Sequence, residues 1–159
     1  MNSLSSAIIP PLDLKTTFSH LFCASDHAGF QLKKQLVGWL NSINYPATDL
    51  GVFDEASVDY PDLTHLVCQK LQEDVKAAGL LICGSGIGMS MAANRFRHIR
   101  AALCHEPLSA HLSRAHNNAN VLCLGGRLIG EEMGKECIMK FLQTAFLGGR
   151  HQRRIQKLE

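Results

Sequence analysis

The run Leu80-Leu81-Ile82-Cys83-Gly84-Ser85-Gly86-Ile87-Gly88-Met89-Ser90-Met91-Ala92-Ala93-Asn94 decides the fold of this chain. Its first four residues read as a buried strand that stops at a cysteine. Three alternate glycines follow, and then a helix of small residues. A thiol therefore stands at the carboxyl end of a strand, beside backbone N–H groups gathered at a helix N-terminus. Such a cradle favours anions, and it favours a thiolate over a thiol. A strand-end cysteine is commonly inert packing. The glycines, which let main chain approach a ligand closely, argue instead for a chemical role at Cys83.

Outward from that run, five apolar segments alternate with helical patterns. Strands are expected at Leu21–Ala24, Ala47–Leu50, Leu80–Cys83, Ala101–Cys104 and Val121–Leu124. Between the first two, Phe30, Leu32, Leu36, Val37, Trp39 and Leu40 recur at helical spacing. Pro61 then opens a helix with Leu63, Leu66, Val67, Leu71 and Val75 on one face. Helices over 86–95, 107–116 and 128–146 complete the alternation. This pattern predicts a single doubly wound, Rossmann-like three-layer α/β sandwich with a five-stranded parallel sheet. Residues 18–159 are expected to form that domain, ending in a helical tail. Residues 1–17 read as a poorly ordered extension. Ligands of such folds sit at the carboxyl ends of the strands, so the informative residues follow each apolar run. The loop Gly51–Tyr60 carries three acids and is expected to border the site.

At 159 residues and 46% hydrophobic, the chain can bury one ordinary core. A net charge of +2 gives no case for nucleic acid, and no apolar run is long enough to span a membrane. The six cysteines contain no C-x-x-C pair, and most end or lie within strand-like runs. That usage suits reduced thiols in the cytoplasm, not a disulfide framework or a zinc site. His105, His111 and His116 do not share one helix face, so no metal is expected.

Two readings stand for Asp26-His27, which follows the first strand. Ser25 or Asp26 caps the next helix, or Asp26 orients a hydroxyl while His27 meets an anion. His116-Asn117, at the end of a short helix, is likewise open. The histidine favours a helix C-terminus, or it serves as an acid/base beside an amide that fixes a sugar hydroxyl. The basic tail Gly148-Gly149-Arg150-His151-Gln152-Arg153-Arg154 is a solvated tail by its bland reading. Arg150 and Arg154, four apart, would share a helix face and converge on one phosphate; Arg127, after the fifth strand, offers another anion contact. Three arginines and a histidine around a glycine-rich loop point to a phosphorylated small molecule.

These pieces together resemble the type B ribose-5-phosphate isomerases, within a group that includes galactose-6-phosphate isomerase subunits. The matching stretches are Ser25-Asp26-His27-Ala28-Gly29-Phe30, Asp59-Tyr60-Pro61, Cys83 to Gly88 with Ala92-Ala93-Asn94, and Ile99-Arg100-Ala101. Glu106-Pro107, Ser113-Arg114-Ala115-His116-Asn117 and Gly149 to Arg154 follow in the family's order. The resemblance makes Cys83 the base and His116 the group that assists ring opening. It gives Asp26, Tyr60 and Asn117 to the sugar. The amides of Gly84, Ser85, Gly86, Ile87 and Gly88 would face the reacting carbons. His27, Arg127, Arg150 and Arg154 would surround the phosphate. Some members place a glutamate where this chain has Met89, and cysteine-bearing members often have Thr where it has Ser85, which keeps the hydroxyl. The resemblance also implies homodimers or homotetramers with sites shared between subunits.

The implied reaction is an aldose–ketose isomerisation, ribose 5-phosphate to ribulose 5-phosphate, through an enediolate. Cys83 moves the carbon-bound proton, Ser85 relays the proton between oxygens, and backbone donors hold the charge. It requires no cofactor. A six-carbon sugar phosphate, allose or galactose 6-phosphate, is the alternative substrate. From another class, a nucleotide-binding module would use Glu106 as its ribose-binding acid, although the glycines run G-x-G-x-G and not G-x-G-x-x-G. A noncatalytic subunit would have no need of the full cysteine, histidine and arginine set.

Overall fold

The computed structural model describes residues 16–158. They run β1 (His20–Ser25), α1 (Phe30–Ser42), β2 (Ala47–Asp49), α2 (Tyr60–Glu73), β3 (Ala77–Cys83) and α3 (Ile87–Ala93). Then come β4 (Ala101–Leu103), α4 (Pro107–Asn117), β5 (Val121–Gly125), α5 (Glu131–Gln143), α6 (Arg150–Ile155) and a 3-10 turn, Gln156–Leu158. The expected extension over 1–17 falls, for residues 1–15, outside the described residues. Thr17 N–H donates to the Leu142 carbonyl on α5.

The five strands pair in parallel in the order β2-β1-β3-β5-β4, the doubly wound sheet that the alternation predicts. β3 holds its centre and is buried at all seven positions. Its side chains alternate strictly between faces. Leu80 and Ile82 join a core with Leu32, Leu36 and Leu40 of α1 and Ile138, Phe141 and Leu142 of α5. Leu81 and Cys83 join the opposite core, with Leu63, Val67 and Leu71 of α2 and Met89 and Ala93 of α3. Burial on both faces explains why the strand reads as a continuous apolar run.

β3 begins at Ala77, three residues before the expected start. Ala77-Ala78-Gly79 carries little apolar signal because neighbours take the space: a Cβ on Gly79 would meet Val67 Cγ1 at 2.8 Å. The helix expected over 128–146 is shorter, at Glu131–Gln143, because Leu128 and Ile129 turn back onto the Gly125 carbonyl. Pro61 lies in the first turn of α2, as its position predicts. Among the described residues, no helix is long and apolar enough to cross a membrane.

Connections leave β1 toward β2 on one side, and leave β3 toward β5 and β4 on the other. The crevice between the carboxyl ends of β1 and β3 is therefore the switch point of the sheet. Asp26 and Cys83 lie there.

Candidate active site

Three strand-end loops clamp around Cys83. Asp26 N–H donates to the Ile82 carbonyl, Gly126 N–H to the Cys83 carbonyl at 2.8 Å, and Arg127 N–H to the Gly84 carbonyl. Gly29 lets α1 begin against β3, since a Cβ there would stand 2.1 Å from the Ile82 oxygen. Main chain thus forms the floor of a cavity of about 400 Å³.

Gly86, at φ +77°, turns its N–H onto Cys83 Sγ at 3.1 Å, and Ile87 N–H donates to Ser85 Oγ at 3.3 Å. A thiolate accepts such a bond more strongly than a thiol does. The other five cysteines differ. Burial pushes the thiols of Cys68 and Cys137 up to about 12, and it raises Cys23, Cys104 and Cys123 as well. Cys23 and Cys104 donate to carbonyls two residues back. Cys83 is 5% exposed, and it opens on the cavity. All six cysteines are free.

Asp26 is not the N-cap of α1. That place falls to Gly29, with no side-chain cap. Asp26 Oδ1 instead accepts the N–H groups of Ala28 and Gly29, at 2.9 and 3.0 Å, one turn ahead of the helix. This holds the carboxylate at the cavity wall. His27 Nδ1 accepts from Val58 N–H, so the expected link between the 51–60 loop and the site is present. The Tyr60 ring lies against Gly88, where a Cβ would meet it at 2.7 Å. Arg127 and Leu128 line the mouth. Asp26, His27, Tyr60, Cys83, Gly84, Ser85, Gly88 and Arg127 are thereby brought together. Met89, where some family members carry glutamate, is wholly buried in the core beneath.

Gly86 and Ile87 join that set through their N–H groups, whereas His116, Asn117, Arg150 and Arg154 lie elsewhere. α4 starts at the carboxyl end of β4 and returns against the strand direction, so its end lies at the amino side of the sheet. His116 and Asn117 end that helix. The His116 ring stacks on His151 of α6 at 4.3 Å and 10°. Arg150 and Arg154 share that short helix, and Asn117 lines a second cavity with Arg95, Arg97 and Ile155. Burial, with His116, Arg150 and Arg154 as neighbours, lowers the His151 pKa. The two groups of expected residues therefore lie at opposite ends of the sheet. His151, part of the basic tail, has no expected role from the sequence because only the flanking arginines signal an anion.

Glu106 is the N-cap of α4: its carboxylate accepts the N–H groups of Leu108 and Ser109, both at 2.6 Å. Its pKa is lowered, first by the Ser109 side chain. That engagement removes it as the acid a nucleotide-binding reading would need.

A parallel doubly wound sheet with a thiol, a carboxylate and an arginine at its switch point defines a small-molecule site of the α/β class. The chain belongs to the ribose/galactose isomerase family, whose model matches residues 21–158. It is 41% identical to the ribose-5-phosphate isomerase B of Escherichia coli K12 over 133 residues, 84% of this chain and 89% of that protein. Among solved structures, it superposes on ribose 5-phosphate isomerase of Thermotoga maritima with a TM-score of 0.86 at 48% identity, covering 88% of this chain and 97% of that one. The Mycoplasma genitalium ribose-5-phosphate isomerase B, solved with ribulose 5-phosphate bound, gives 0.84 at 42% identity, covering 87% and 93%.

Proposed function

We propose that this protein interconverts ribose 5-phosphate and ribulose 5-phosphate, with Cys83 as the base. The observation that carries the reading is the Gly86 N–H aimed at Cys83 Sγ at the switch point. On the open-chain aldose, the Cys83 thiolate takes the C2 proton and the electron pair moves onto the C1 oxygen, giving an enediolate. Ser85 relays the proton of the C2 hydroxyl to the C1 oxygen. Cys83 then returns its proton to C1, leaving the ketone at C2. The other amides of the 84–88 loop, beyond those of Gly86 and Ile87 that serve Cys83 Sγ and Ser85 Oγ, hold the developing charge without reorganising.

Asp26 and Tyr60 bound the sugar, and His27 and Arg127 meet the phosphate. His116, Asn117, Arg150 and Arg154 come from a second copy of the chain, which supplies ring opening and the rest of the phosphate clamp. The opposite placement of the two half-sites supports this division, as does exposed apolar surface beside Cys83 at Ile87, Met91 and Leu128. Isologous pairing completes two sites per dimer. Six free cysteines suit a cytoplasmic protein.

The test is ketose formation from ribose 5-phosphate by purified protein in EDTA, with Cys83→Ala as control. Turnover that vanishes in the variant is expected. Full activity of Cys83→Ala would remove the base assignment, and a kcat/KM favouring six-carbon phosphates would remove the substrate.

A further inference from the structure

Lys33 of α1 is a cation whose side chain is wholly buried, and none of the chemistry above uses it. Its Nζ donates to Asp49 Oδ1 at 2.6 Å and to the Val52 carbonyl, beneath the Phe53 ring at 5.1 Å from the centroid. Asp49 Oδ1 also accepts the Gly51 N–H. These bonds fasten the start of the 51–60 loop to α1. Gln31 Nε2 fastens its middle, through Glu55 Oε1 at 2.6 Å. The far end delivers Val58 N–H to His27 Nδ1 at 3.3 Å and sets Tyr60 against Gly88.

A ring nitrogen that accepts a hydrogen bond carries no proton. The Val58 contact therefore places the His27 proton on Nε2, leaving that nitrogen as the ring's donor. We propose that Lys33 is a positioning residue for the site: by fixing the 51–60 loop it holds His27 as the Nε2–H tautomer, a hydrogen-bond donor toward the ligand's anionic group. The Lys33 ammonium suits that task because its side chain is wholly buried while Asp49 is only a quarter exposed, so the cation cannot exchange its partners for water. The inference rests on the reading of the Asp26–Cys83 cavity as the substrate site, but its first test does not.

The imidazole 15N spectrum of the full-length protein without substrate reports the tautomer, with the His27 signals identified by their loss in His27→Gln. The expected spectrum has Nε2 protonated and Nδ1 bare. Lys33→Met/Asp49→Asn leaves no unpaired buried charge and keeps the Gly51 acceptor, so it should fold. In it His27 should populate both tautomers. The KM for ribose 5-phosphate should rise about tenfold while kcat changes less than about twofold, the mark of lost binding. Val58→Pro deletes the donor directly, leaves the buried pair intact, and should give the same spectrum. A wild-type His27 protonated on Nδ1, or unchanged His27 signals in both variants, would overturn the proposal. Inactivity on ribose 5-phosphate with the expected spectra would instead strike the substrate assignment alone.

Discussion

Mixing two inactive variants, Cys83→Ala and His116→Ala, should restore activity that neither has alone. α4 has 11 residues, so its end lies about 16 Å along the helix axis from its start at the carboxyl edge of the sheet. Proton transfer needs heavy atoms within about 3 Å. His116 of one chain is therefore out of reach of Cys83 in the same chain. In a mixed dimer, one site combines both substitutions and the other combines two native halves. Random reassociation makes half of the dimers mixed, so an equimolar mixture should recover about one quarter of wild-type turnover. The variants are mixed, allowed to exchange subunits and assayed for ketose formation from ribose 5-phosphate. Selecting mixed dimers with two affinity tags should raise recovery to about half. Zero recovery with exchange verified by native mass spectrometry would refute the shared site, and with it the argument from helix direction.

Iodoacetamide at neutral pH should label Cys83 before any other cysteine, because burial raises the remaining five thiols. Peptide mapping with comparable early labelling at Cys68 or Cys137 would contradict that. Gly86→Ala forces a side chain to φ +77° and brings its Cβ within 2.5 Å of Leu103 Cδ1. It should cost about 2 kcal/mol, or roughly 6 °C in Tm, and should lower kcat as the donor leaves Sγ; an unchanged melting curve would be the contrary result. His151 keeps a lowered pKa in the fold, so below its ordinary value of 6.5 the unfolded chain binds the proton more readily. Its contribution is absent well above that value and increasingly destabilising as pH falls through it. His151→Phe should therefore flatten the loss of Tm between pH 7.5 and 5.5, which thermal scans would check.

The strand-to-glycine turn at Cys83 was legible because both of its signals are local: an apolar run for a strand buried on two faces, and glycines for close main-chain approach. Asp26 was legible as a residue that binds backbone amides, but the amides are those of Ala28 and Gly29, ahead of the helix. Lys33 left no trace, since a polar residue interrupts the helical pattern whether it is solvated or paired with Asp49. The separation of His116 from Cys83 was equally hidden. Spacing says which residues share a helix face, whereas the direction α4 runs across the sheet comes from the assembled topology.

The cavity is lined unequally in a way that bears on how such a site diversifies. Its floor is the peptide backbone of the loops after β3 and β5, which side-chain exchange leaves in place except where a glycine such as Gly86 holds a positive φ. Its walls are a few side chains, chiefly His27, Tyr60, Arg127 and Leu128. Tyr60 and Gly88 are interlocked, so a larger residue at one demands a smaller one at the other. A lineage changing sugars would keep the proton chemistry and edit the walls, with paired exchanges at 60 and 88 as the recognisable trace.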